Sequence, residues 1–132
     1  MRPSVGLTYV EATHHGRHRS LTLRLLVDSG ATYSMVPADV AESLGARNIR
    51  VEEFEIADRS TVHWRVGEGE VELLGRRSTT LVIFGEGSTE GLLGVYALEG
   101  LALELDARLR VVRPSRRLPL YAVSRGQGLG TG

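Results

Sequence analysis

The chain has 132 residues, enough for one domain with its own core and too few for two ordinary domains. Sixteen basic residues, all Arg, balance sixteen acids, so no net charge favours nucleic acid or an anionic membrane as partner. The absence of Cys excludes disulfides, thiolate metal sites and a Cys nucleophile.

In chain order, the pattern is mostly of period two. Val5, Leu7 and Tyr9 alternate with Gly6 and Thr8, and Leu21, Leu23 and Leu25 alternate with polar residues before Leu26-Val27 completes a buried run. That predicts two strands, joined by a polar hairpin loop over Thr13 to Arg19. Tyr33 to Val36 reads as a short strand. Pro37 to Gly45 reads as a short helix, with Pro at its start, Asp39 in its first turn and Gly45 at its left-handed stop. Val51 to Ile56 and Thr61 to Val66 flank the polar turn Ala57-Asp58-Arg59-Ser60, a long hairpin.

Glu68, Glu70 and Glu72 share one face of its continuation, with Val71 and Leu73 on the other. Thr79 to Phe84 is an apolar strand and Gly85 to Gly91 a loop. A short helix is predicted over Val95 to Leu101 and strands over Leu101 to Leu105 and Leu109 to Arg113. Pro114 and Pro119 bar a central strand beyond that point. The expectation is one all-β domain over 1–123, small and closed, with one or two short helices, and a flexible Gly-rich tail over 124–132. The N-terminus enters strand-like sequence without a signal-peptide hydrophobic region, and no apolar run reaches the length of a membrane span. A cytoplasmic protein without membrane contact is expected.

The chemistry concentrates at Asp28-Ser29-Gly30-Ala31-Thr32, directly after the apolar run that ends at Val27. A tight turn at a strand end can present the Asp28 carboxylate, and Gly30 gives backbone freedom and close approach. An ordinary polar turn would use the same residue types. What distinguishes this segment is a second one, Leu92-Leu93-Gly94, followed by Leu98-Glu99 and the Leu-rich stretch Leu101 to Leu105.

Together these segments resemble the retroviral-like aspartic proteases, the retropepsins and their cellular and bacterial relatives, from about Leu21 to Val112. That family places Asp-Ser/Thr-Gly-Ala after an apolar strand, then a flap hairpin, then two apolar residues and Gly before a short helix. The resemblance implies a retropepsin-like β domain acting as a two-fold homodimer, and hydrolysis of peptide bonds without cofactor or metal. Asp28 is then the catalytic residue in a loop with Ser29, Gly30, Ala31 and Thr32. Ala57, Asp58, Arg59 and Ser60 form the flap tip, and Leu92, Leu93 and Gly94 support the catalytic loop.

By resemblance the Ser29 hydroxyl bonds across the two-fold axis. The reaction needs two carboxylates sharing one proton around a water, one as general base and the other as general acid. Asp39, Asp58 and Asp106 are not followed by Ser/Thr-Gly, so the chain holds half a site and a second copy supplies the rest. The implied partners are a second copy and a peptide or protein substrate, with no nucleic acid.

There are departures. Retroviral enzymes usually pair an acid after Gly-Ala with an Arg after the second Gly; here those positions hold Thr32 and Val95, so no orphan charge is left. Relatives often carry Gly at the flap tip, where this chain has Asp58-Arg59, which a type I turn accepts. A stiffer flap keeps open an alternative, a peptide-binding dimer module of the same fold that cuts slowly or not at all.

Other features are read more plainly. His14, His15 and His18 are expected to be solvated loop histidines and not metal ligands. Gly85, Gly87 and Gly91 lack the Lys and the helix of a phosphate-binding loop. Trp64 is read as hairpin packing in preference to a pocket wall, and Arg116-Arg117 as a solvated basic pair.

Overall fold

The structure, a computed structural model, describes residues 6–116 and 118–126. Nine strands and two short helices follow in the order β1 (Tyr9–His15), β2 (Ser20–Val27), β3 (Ser34–Pro37), α1 (Ala38–Leu44), β4 (Arg47–Glu55), β5 (Thr61–Leu73), β6 (Arg76–Gly85), β7 (Gly91–Leu93), α2 (Val95–Gly100), β8 (Leu103–Asp106) and β9 (Val111–Pro114). Six strands pair in the order β1-β2-β7-β3-β6-β5, and β5 returns to β1, so the sheet closes into a barrel. The seam is short, with Thr13, His14 and His15 opposite Glu72, Val71 and Glu70. β4 pairs with β5 outside the ring, and β8 and β9 form a separate antiparallel pair.

The period-two reading becomes the barrel because inward positions are the apolar ones. Leu25, Val27, Val71, Leu73 and Leu93 meet inside and are backed by Ala97, Leu98 and Leu101 of the α2 region. A second cluster joins Val36, Val82 and Phe84 to Ala38 and Ala41 on the inner side of α1. Each fully buried Leu or Phe contributes on the order of 2 kcal/mol by leaving water.

β5 is long enough to serve two structures. From Val66 to Leu73 it pairs with β6 in the barrel, and from Thr61 to Glu68 it pairs with β4. Residues 50–65 therefore leave the barrel as a two-stranded arm. A register irregularity between Asn48 and Arg50 marks where the arm departs, opposite Gly67. A side chain at Gly67 would lie 2.6 Å from the Arg47 carbonyl oxygen. On one side of the arm's root, Arg65 bonds both Glu42 of α1 and Glu86 of the loop after β6. These two carboxylates, Glu42 first, raise its pKa above the ordinary range.

The structure corrects several expectations. β1 begins at Tyr9 and continues through His15, so the loop to β2 covers only Gly16 to Arg19 and not the whole polar stretch from Thr13. That loop docks on the end of α1: the His18 N–H donates to the Leu44 carbonyl at 3.0 Å, and Arg17 donates to Gly45 O at 2.8 Å. Both carbonyls belong to the set a helix end leaves unpaired.

His14 is not solvated. It lies 2 % exposed inside the barrel at the seam, its Nε2 has no hydrogen-bond partner among the described residues, and burial, with His15 nearby, lowers its pKa to about 4. His15 faces the other side of β1, where it bonds Ser20 and Glu72 at 2.7 Å each. Among the described residues no group of three or more His, Cys, Asp or Glu is arranged to hold a metal.

The second helix ends at Gly100, one residue before Leu101. Val5, Arg117 and residues 127–132 of the expected tail lie outside the described residues. Residues 118–126 contain neither helix nor strand, and Leu118, Leu120, Tyr121 and Val123 are exposed. No helix among the described residues is long and apolar enough to cross a membrane.

Candidate active site

The site starts where β2 ends. The Val27 N–H donates to Thr8 O at 2.8 Å and the Asp28 N–H to Leu93 O at 3.0 Å, so the strand end is held from both sides. The chain then turns tightly. Asp28 Oδ1 accepts the Gly30 N–H at 2.9 Å, and Asp28 O accepts the Ala31 N–H at 3.1 Å. A side-chain carboxylate bonding its own backbone two residues on is the Asp turn habit that fixes such a loop without regular structure. Asp28 is half-buried, while Ser29, Gly30 and Thr32 are exposed.

The second segment holds this loop from behind. Ala31 O accepts the Val95 N–H at 2.8 Å and Thr32 O accepts the Tyr96 N–H at 3.1 Å. Leu92 and Leu93 lie in β7, between β2 and β3. A Cβ on Gly94 would stand 2.6 Å from both C and O of Tyr33 and 2.9 Å from Ala31 O, too close for any other residue without backbone movement. The buried Ser34 hydroxyl accepts the Gly94 N–H at 3.0 Å.

Asp28 lines a cleft of about 820 Å³ together with Gly30, Ala31 and Thr32. Tyr33, Met35, Ile83 and Leu92 add apolar surface from the barrel, and Phe54, Ile56 and Trp64 add it from the arm. The tip residues Ala57 and Asp58 line the same cleft, whereas Leu93 and Gly94 lie behind the loop. Trp64 is thus a cleft residue, against the expectation of plain hairpin packing.

At the tip, Arg59 N–H donates to Ile56 O at 2.9 Å and Ile56 N–H to Ser60 O at 3.0 Å. Arg59 has φ 70°, so the expected type I turn is continued by a left-handed residue, the place where hairpins favour Gly. Asp58 accepts the Ser60 N–H at 2.8 Å, and Ser60, through its side chain first and its backbone second, lowers the Asp58 pKa below the usual carboxylate range.

Sequence reasoning missed Tyr33, Ser34, Met35, Phe54, Ile56 and Ile83. The one legible signal was a small polar residue, Ser34, in register with Val36 on the buried face of β3.

Residues 10–97 match the family model described as aspartyl protease. The chain belongs to the aspartyl protease family. Solved structures share its fold at low sequence identity. The simian foamy virus (mac) protease is 21% identical with a TM-score of 0.51, over 70% of this chain and 92% of that one. The retropepsin-like aspartic protease from Rickettsia conorii is 18% identical with a TM-score of 0.54, over 80% of each chain. The retroviral protease-like domain of Ddi1 from Leishmania major is 17% identical with a TM-score of 0.53, over 89% of this chain and 98% of that one. No curated protein matches the chain. The fold is therefore retropepsin-like: a small closed β barrel with two short helices.

Proposed function

We propose that the chain is an aspartic endopeptidase that works as a homodimer, with Asp28 of each copy forming one catalytic pair. Two carboxylates close together share a single proton, because both cannot ionise at that distance. One takes a proton from the attacking water and the other protonates the leaving amine.

The observation that carries the reading is the position of Asp28. A half-buried carboxylate, fixed by its own loop, opens on an apolar cleft that the arm covers, which suits an extended peptide with apolar side chains. Ser29 lies exposed on the same loop, free to meet a second copy. The apolar Leu118, Leu120, Tyr121 and Val123 are also exposed, as expected of a surface that a second copy covers. In this reading 1–123 form the protease domain, Ala57 to Ser60 the flap tip and Leu92 to Gly94 the loop support. No cofactor takes part, and the expected location is the cytoplasm.

Incubation of the wild type and Asp28→Asn with a mixed peptide library, read by mass spectrometry, tests this. Internal cleavage by the wild type and none by the variant is expected. Equal cleavage by both overturns it. The second reading, a peptide-binding dimer that does not cut, is favoured by Arg59, whose left-handed backbone holds the tip in one turn. Peptide retention without cleavage would select that reading.

A further inference from the structure

We propose that Tyr33 is a positioning residue that sets how the β4–β5 arm stands over the Asp28 loop. Three contacts carry the inference. Tyr33 directly follows Asp28 to Thr32, and its carbonyl packs so closely on Gly94 that no Cβ fits between them, which immobilises its backbone. Its ring meets Phe54 edge-on, at 6.4 Å between centroids and 87° between planes, and is backed by Tyr96 at 5.6 Å and 58°. Arg50 donates to Glu52 at 2.7 Å.

Arg50, Glu52 and Phe54 alternate along one face of β4, the face whose cross-strand neighbours are Val62, Trp64 and Val66. One fixed side chain thus touches the arm at Phe54. The arm needs such a contact, because beyond Val66 it has no sheet neighbour among the described residues and a lone two-stranded hairpin is marginal in water. Arg65 holds the root through α1 and the loop after β6, and Tyr33 holds it from the loop that carries Asp28.

The inference rests on the protease reading for its effect on turnover, but its first test does not. Trp64 is the chain's single Trp and lines the same cleft. Its emission and its quenching by acrylamide therefore report the arm's position in the free protein. In folded Tyr33→Ala, Trp64 emission should move to the red and quenching should rise. Phe54→Ala should do the same, and the double variant should add little, since both remove one contact. Tyr33→Phe, which keeps the ring, should retain most of the wild-type signal; Tyr33→Leu replaces Tyr33→Ala if that variant does not fold.

With a cleaved peptide, KM should rise about three- to tenfold in Tyr33→Ala, the range expected for one aromatic pair, with a smaller change in kcat. An unchanged Trp64 signal in a folded variant, or additive effects of Tyr33→Ala and Phe54→Ala, overturns the proposal. A wild type that cuts no peptide while Trp64 responds as described would sink the protease reading and leave this one standing.

Discussion

The Gly94 N–H donates to the Ser34 hydroxyl at 3.0 Å, a buried bond between the first residue of β3 and the residue just before α2. It ties the strand that follows the Asp28 loop to the segment behind that loop. Ser34→Ala leaves a buried N–H unpaired, which costs about 1–3 kcal/mol. Urea unfolding should report a loss in that range. Gly94→Ala should lose more, because its Cβ meets backbone atoms of Tyr33 that cannot swing aside. Equal stability of Ser34→Ala and the wild type would mean the bond contributes nothing.

Asp28→Asn should leave the loop intact while removing turnover. The Asn Oδ1 can still accept the Gly30 N–H, so the turn survives, but an amide cannot hold or release the shared proton. Activity should fall at least about a hundredfold, the lower range for a positioned acid or base. Activity per chain in the wild type should also fall on dilution below the dimer dissociation constant. Light scattering alongside the assay checks this, and full activity in a verified monomer would exclude a shared site.

His14 gives the protein an acid-sensitive seam. Its pKa is about 4 in the folded barrel against 6.5 for an unperturbed imidazole. The unfolded chain therefore binds this proton first as pH falls. Stability is full above about pH 6.5, declines as pH falls toward 4, and has nothing further to lose from this group below that. The gap is worth roughly 3 kcal/mol. His14→Leu should flatten the fall in the urea midpoint between pH 6.5 and 4.5. An unchanged pH dependence in the variant would assign the acid sensitivity to groups other than His14.

A fourth prediction lies away from the cleft. Leu74 and Gly75 form the two-residue turn between β5 and β6, with φ 53° and 76°. Both positions demand positive φ, which Asn adopts at lower cost than Leu. Leu74 is 58 % exposed, so little packing is lost on replacement. Leu74→Asn should stabilise the protein by about 1 kcal/mol, read as a higher thermal midpoint with unchanged peptide cleavage.

The barrel was legible because Leu21 to Val27, Thr79 to Phe84 and the Leu92-Leu93-Gly94 segment carry apolar residues in strand register or in short buried runs. Asp28 was legible because the motif follows such a run. The extent of β1 was not. Thr13, His14 and His15 read as polar loop, yet pairing with both β2 and β5 turns His14 inward whatever its polarity. The walls of the cleft were hidden for a different reason. Tyr33, Phe54, Trp64 and Ile83 come from four separated segments, and only closure of the barrel and departure of the arm bring them together. The β5–β6 turn was invisible because Leu74 is a poor residue for its own backbone.

The double service of β5 sets where the chain can gain or lose residues. One residue inserted between Val66 and Leu73 would reverse every side chain downstream in the strand, putting Glu70 and Glu72 inside and Val71 and Leu73 outside. If the barrel register held instead, the arm would shift by one step and carry Trp64 off the cleft. Past Glu86, which anchors Arg65, the loop from Gly87 to Glu90 has no such double constraint and links β6 to β7. Length variation among homologous chains should therefore collect in that loop and be nearly absent from the thirteen residues of β5.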